Sequence, residues 1–319
     1  MPGEPAHVAI GVSEVEQIAA LGWRGLEEAY LGDWLLRAAA GFTGRANSAL
    51  VLGSSRHGGQ QLGNAWLDDP GSLPDPHRLP DPDVPEDPGW LTDLVDWYAE
   101  RGLPPMAQIP LPGAEGVDAV LAGAGWRSHD LVRFLTGDIA VVQRLAAESA
   151  QFPREGRPVS NLLVQGVPPS FAATVHLRLA AEPDEAWLAA YQYRGAPLPG
   201  HAREVLQRAG PDTELCFASL RGLAEDEATG EVLAVARGAL AHGWLGITAV
   251  TVASEHRRRG YGTRLMSELA AWAVERDATA IYLQVAADND PALGLYQRLG
   301  LHHHHDYRYR VGPAPGDLP

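Results

Sequence analysis

The sequence predicts an α/β (α+β) chain built from two related domains, and three observations predict it. Strand-like and helix-like segments interleave along most of the chain. A spacing of 175 residues brings parts of the first half into register with the second. A stretch rich in proline and glycine, Gly137–Ser170, lies between the halves, and the domains are drawn as 1–155 and 156–319. The length of 319 residues suits two ordinary domains.

In the first half, apolar spacing predicts a helix near Val12–Leu21, followed by strands at Trp34–Ala40 and Asn47–Leu52. Asp68–Gly89 is dense in Pro, Asp and Gly, which fit neither a helix interior nor a central strand, so it reads as a loop. Leu91–Arg101 has helical spacing, Met106–Leu111 is a short strand, Val117–Ala124 is a helix ending at Gly125, and Leu131–Thr136 is a strand. Ala140–Ala150 is a further helical patch.

The second half opens with a strand at Thr174–Leu179 and a helix over Pro183–Tyr191. Leu215–Leu220 and Glu231–Ala241 are strands joined by the acidic turn Ala224–Gly230, and Trp244–Val252 is rich in β-formers. Gly260–Arg276 is a helix with Leu265, Leu269, Trp272 and Ala273 on one face. A buried strand (Ile281–Val285), a helix stopped by Gly300 (Pro291–Leu299) and a last strand (His303–Val311) complete it. The repeat pairs Leu94, Trp97, Glu100, Arg101 and Gly125 with Leu269, Trp272, Glu275, Arg276 and Gly300.

Composition excludes several classes. Hydrophobic residues make up 45% and charged residues 20%, and no run approaches the roughly 18 apolar residues of a membrane helix. The start, Met1-Pro2-Gly3-Glu4-Pro5, lacks a basic segment followed by an apolar one, so a cytoplasmic protein is expected. Cys216 is the only cysteine, which argues against disulfides and cysteine-based zinc. A formal net charge of −15 repels phosphate backbones, so no nucleic-acid partner is expected, and it draws cationic amines. The basic residues are all arginine.

The strongest local signal is Arg257-Arg258-Arg259-Gly260-Tyr261-Gly262, after one predicted strand and at the start of a helix. Unpaired amides and the positive dipole end of a helix favour phosphate there. Glycines admit close backbone approach, and arginines add charged donors. A basic turn on a solvated face is the plainer reading. The spacing is not that of a dinucleotide-binding turn. A second block lies about 27 residues on: Val285, Asn289, Ala292, Leu295, Tyr296, Gly300, Leu301.

Together the two blocks resemble the GNAT acyltransferase family: the first its R/Q-x-x-G-x-G/A loop, the second its N-x-x-A-x-x-L-Y-x-x-x-G-F segment, with Leu301 in place of Phe. The clear resemblance covers Thr174–Val311. The whole chain, including Gly41-Phe42-Thr43-Gly44-Arg45-Ala46-Asn47-Ser48-Ala49-Leu50, is similar to actinobacterial two-domain members. The resemblance implies tandem GNAT-like domains, each a mixed, mostly antiparallel sheet flanked by helices, and acetyl-CoA as acyl donor without a metal. It implies that Val250, Thr251 and Val252 pair with the pantetheine arm, with the Val252 N–H polarising the thioester carbonyl. Arg257, Arg258, Arg259, Gly260, Tyr261, Gly262 and Thr263 would wrap the pyrophosphate. Asn289 would bond the cofactor arm, and Tyr296 would protonate the leaving thiolate. Asn289 is also a good helix cap, and Tyr296 also suits a core. The acceptor would be a small-molecule amine or a peptide.

The sequence departs from the family where a base is usual. Gly246–Val252 holds no carboxylate, and Gln284 cannot accept a proton. Glu255 reads as a solvated residue, and no base is assigned. The gap leaves open a non-catalytic acyl-CoA sensor, or a protein acetyltransferase whose first half docks a partner. His302–His305 reads as a polar strand, since alternate side chains point to opposite faces. Tyr191, Tyr193 and Arg194 fall where the family walls its acceptor cleft. In the first half the same 175-residue offset puts Leu121 at Tyr296, Ala114 at Asn289 and Pro82–Asp87 at the cofactor loop. Prolines lack amides and acids repel phosphate, so this copy is expected to keep the scaffold, lose the cofactor chemistry and help build the acceptor pocket.

Overall fold

The computed structural model describes residues 10–52, 89–149, 175–191, 193, 196–222 and 230–313. The elements in chain order are α1 (Val12–Gly22), β1 (Glu27–Leu31), β2 (Trp34–Ala38), β3 (Ala49–Leu50), α2 (Gly89–Ala99), β4 (Met106–Leu111), α3 (Glu115–Gly123), β5 (Arg127–Asp138) and α4 (Ile139–Ser149). They continue with β6 (Val175–Ala180), α5 (Glu185–Ala190), α6 (Ala202–Gln207), β7 (Glu214–Gly222), β8 (Val232–Ala241), β9 (Trp244–Val252), α7 (Tyr261–Val274), β10 (Ala280–Ala286), α8 (Asp290–Arg298) and β11 (His302–Val311).

All strands join one 11-stranded sheet in the order β1-β2-β3-β4-β11-β5-β10-β9-β8-β7-β6. The order is nearly palindromic. β1–β4 mirror β7–β10, with antiparallel neighbours until the last pair, where β3 runs parallel to β4 and β9 parallel to β10. Each half then completes its sheet with the other half's strand: β5 lies beside β10, β11 beside β4, and the two pair antiparallel between them. The halves 1–155 and 156–319 therefore do not close on their own strands, and the boundary between them falls outside the described residues.

The repeat is legible in side chains. Leu94 on α2 and Leu269 on α7 are both fully buried. Arg101 sits 3.9 Å over the Trp97 ring, bonds the Trp97 carbonyl at 2.7 Å and pairs with Glu27 at 3.0 Å. Arg276 sits 4.6 Å over Trp272, bonds its carbonyl at 2.9 Å and pairs with Glu214 at 3.0 Å. Each arginine occupies carbonyls left unpaired at a helix C-terminus and ties the helix to a neighbouring strand. Gly125 and Gly300 both take positive φ, 81° and 84°, where a Cβ is disfavoured, and each stops its helix.

One core surrounds α7 and includes Ile139, Val142 and Ala146 of α4, so α4 packs into the second half. A second, with Trp34, Trp90, Leu94, Ile109 and Leu121, fills the first half. The expected elements form, with differences at four places, one of them the strand expected over Leu131–Thr136, which extends over Arg127–Asp138. The strand expected over Asn47–Leu52 shrinks to Ala49–Leu50, because Arg45–Asn47 is a 3₁₀ turn closed by its own side chain. Asn47 accepts from the amides of Ala39 and Gly41 and donates to the carbonyls of Phe42 and Thr43, all between 2.8 and 2.9 Å. β1 is an edge strand whose exposed Glu27 and half-buried residues hide the alternation. The six-residue α6 is too short for a periodic signal. Of the expected loop and acidic turn, residues 68–88 and 224–229 lie outside the described residues. Among the described residues no helix is long and apolar enough to cross a membrane.

Candidate functional site

β9 and β10 pair only from Trp244–Ile247 to Ala280–Leu283 and then part. A bulge drives the parting: Ala249 takes φ 55°, and Ala249 and Val250 together oppose one residue of β8. Ala253 donates to Leu233 at 3.0 Å, and Val252 stands opposite Ala234. Amides alternate sides along an antiparallel strand, so the N–H and C=O of Val252 face the gap, as do those of Val250. Arg257 Nε bonds the Val252 carbonyl at 3.3 Å, folding the arginine loop back on the strand end.

The loop meets the gap through its glycines. Arg258 and Gly260 both take left-handed conformations, φ 60° and 81°, the kind of turn that gathers backbone amides. Arg257, Arg258 and Arg259 are exposed. Gly262, in the first turn of α7, lies where the three elements converge: a Cβ there would stand 3.3 Å from Leu295 of α8 and 4.0 Å from Val252 of β9. The arrangement fits an anionic arm entering along the open strand edge. The Tyr261 side chain turns away from the loop into the core, leaving its backbone as the part able to face a phosphate. Thr263 is half-buried.

Asn289 caps α8 by accepting from the Ala292 amide at 3.3 Å. Tyr296, on α8, is 7% exposed within the α7 core. Burial pushes its hydroxyl up to about 12, so the group holds its proton across the ordinary pH range.

Beyond the gap lies a cavity of about 470 Å³ that both halves build. Thr248, Ala249 and Gln284 line it from the strand fork. Gly41, Thr43, Arg45 and Asn47 come from the first half, and Tyr307 and Tyr309 from β11. Tyr191 and Tyr193 line it too, and Arg194 lies outside the described residues. Gln284 accepts from the Tyr307 hydroxyl at 3.0 Å, while its own buried amide nitrogen has no partner among the described residues. Glu255 does not line this cavity; it is exposed on the approach to α7, where hydrogen bonds from its own backbone and Ser254 lower its carboxyl.

The histidine run departs from simple alternation. A bulge between His303 and His305 brings Nδ1 of His304 within 2.8 Å of Nδ1 of His305, two neighbours that a regular strand would separate. His305 meets the buried Glu16 carboxylate at 3.0 Å. Gln108 donates to Glu16 and accepts from Arg37 at 2.9 Å, so a buried polar chain crosses from α1 to β2. In the first half, Leu121 and Ala114, the positions matching Tyr296 and Asn289, are core residues, and Pro82–Asp87 lies outside the described residues.

The cavity walls were not visible in sequence, apart from the tyrosines after α5. They come from elements that only the exchanged strands bring together.

A family profile described as "Probable histone acetyltransferase Rv0428c C-terminal" matches residues 11–112 and 126–310. The chain is 28% identical over 317 residues to the probable histone acetyltransferase Rv0428c of Mycobacterium tuberculosis, covering 96% of this chain and 75% of that protein. It is 22% identical to the uncharacterized N-acetyltransferase YobR of Bacillus subtilis, covering 94% and 98%. Among solved structures, a GCN5-related N-acetyltransferase from Kribbella flavida superposes with a TM-score of 0.56 at 18% identity, over 96% of this chain and 98% of that one. A tandem GNAT protein from the clavulanic acid biosynthesis pathway gives 0.52 at 15% identity, over 74% of each. Both share the fold.

Proposed function

The chain belongs to the acetyltransferase family of the Rv0428c C-terminal region, and from that premise we propose that this GNAT N-acyltransferase moves an acetyl or short acyl group from acetyl-CoA to a primary amine, both substrates being bound together. The observation that carries the reading is the parting of β9 from β10 beside the glycine-bearing N-terminus of α7. On this reading 156–319 holds the acyl donor and 1–155 walls the acceptor side. Of Val250, Thr251 and Val252, the first and last turn backbone N–H groups toward the pantetheine arm, and Thr251 between them holds the strand end to β8. Arg257–Thr263 surround the pyrophosphate with amides, exposed guanidiniums and the helix dipole. Asn289 bonds the arm as well as capping α8.

The chemistry follows from charge. As the amine nitrogen attacks the thioester carbon, the carbonyl oxygen gains negative charge, and the Val252 N–H donates to it. When the carbon–sulfur bond breaks, Tyr296 gives its proton to the departing thiolate and regains one from solvent. The surplus proton on the new amide nitrogen goes to water. Neither β9 nor β10 supplies a carboxylate base, so the amine enters neutral.

The test is release of CoA thiol from acetyl-CoA across a panel of amines and lysine-bearing peptides. Tyr296→Phe should cut turnover roughly 100-fold with acetyl-CoA affinity unchanged. Acetyl-CoA binding without release by any acceptor would favour a sensor and contradict this reading.

A further inference from the structure

The cavity between the halves is lined by one arginine, Arg45, and one carboxylate, Asp130, and no ion pair joins them among the described residues. Arg45 lines it and is half-buried. Among the described residues it has no hydrogen bond or ion pair; its contact is the face of Trp23, 5.5 Å from the ring centre. The nearby carboxylates are otherwise engaged. Glu16 is held by Gln108 and His305. Asp130, more exposed, lies 3.1 Å from His129 Nδ1 and makes no ion pair with Arg45. Arg237, on the other cation–π contact of Trp23 at 5.1 Å, is satisfied by the carbonyls of Gly22 and Leu206, not by an acid.

The rest of the wall is neutral and largely aromatic. Burial pushes the Tyr191 hydroxyl up to about 12 and raises those of Tyr307 and Tyr309, so none carries negative charge near neutral pH. Arg45 keeps its charge, with Glu16 acting on it through space, but its guanidinium donors have no acceptor among the described residues; a bound anion would supply one. Its place is fixed in advance: the Asn47 side chain clamps the turn that carries Arg45, and Thr43 accepts from the Trp23 indole at 3.1 Å. The buried amide nitrogen of Gln284, at the fork, is a second donor without a partner among the described residues.

We propose that the acceptor is an amine that also carries a carboxylate on an apolar, flat body, with Arg45 as its anion-binding and specificity-determining residue. This rests on the acyltransferase reading above. A single planar fork matches a carboxylate in two parallel hydrogen bonds. The rings of Trp23, Tyr193 and Tyr309 suit the body, and the amine then faces the strand fork. A lysine-rich peptide would instead bring like charge toward Arg45 and be disfavoured.

The test separates this from the transfer reaction by measuring binding alone. Calorimetric titration of the full chain uses 3-phenylpropionate, which has the carboxylate and ring without an amine, and 2-phenylethylamine, which has the amine and ring without the carboxylate. The wild type should bind the acid more tightly than the amine. Arg45→Met should weaken the acid roughly tenfold or more and leave the amine unchanged or tighter, while Arg45→Lys keeps part of the preference. An unchanged melting temperature in both variants shows that the turn is intact. Absence of binding of the acid, equal binding by wild type and Arg45→Met, or preference for the amine would each overturn the proposal. None of these outcomes bears on CoA release, so the acyltransferase reading stands or falls separately. In steady state, phenylalanine should outcompete 2-phenylethylamine as acceptor in the wild type and lose that advantage in Arg45→Met.

Discussion

Tyr296 and His304 illustrate how burial sets the protonation of single groups. The Tyr296 hydroxyl, at about 12, supplies no alkaline limb to a rate profile over the usual range. Turnover should therefore rise with pH as the amine substrate loses its proton, and not fall again below about pH 10. His304 shifts the other way: burial lowers its pKa from 6.5, against the hydrogen bond to the Ile10 carbonyl. The folded state binds this proton more weakly than the unfolded chain does. Its contribution to stability is fully present above about 6.5 and is lost as pH falls below it, until the folded form is protonated too. Urea unfolding at pH 7.5 and pH 5 should show a smaller difference for His304→Asn than for the wild type; an equal difference would contradict the assignment. The sequence singled out Tyr296 and Asn289 as candidates through motif spacing. It carried no sign that His304 and His305 would touch, because a bulge leaves no mark in a run of identical residues.

Helices and most strands were legible because their apolar residues recur with the right period and glycines stop them. β1 was hidden by its exposed glutamate at a sheet edge, and α6 by its length. The pairing of strands was less legible still. Periodicity says which face a strand buries, not which neighbour it takes, and nothing in Arg127–Asp138 or His302–Val311 announces that they trade places. A fragment of residues 170–319 would lack β5, which covers the free edge of β10, and α4, which packs on α7. It would expose an apolar strand edge and half a core. The fragment should be insoluble or molten by near-ultraviolet circular dichroism, and adding residues 126–149 should restore order. A soluble, fully active 170–319 fragment would contradict the account.

At the scale of the molecule, two copies of one scaffold have divided the labour. The second has glycines and arginines beside its fork and Tyr296 on α8; the first has Leu121 and Ala114 at the positions matching Tyr296 and Asn289 and contributes the turn that bears Arg45. Of their shared cavity, only the tyrosines after α5 and a share for the first half could be read from the chain, since most of its residues stand far apart in sequence. The central claim is that the fork between β9 and β10, with the first turn of α7, receives acetyl-CoA. Titration of acetyl-CoA into wild type and Gly262→Val tests it most directly, because a side chain at 262 would stand against Leu295 and Val252, in the path of the arm. The account predicts saturable binding by the wild type, weakened roughly tenfold or more in the variant while its circular dichroism keeps the folded form. No binding to the wild type, or equal binding to both, would contradict it.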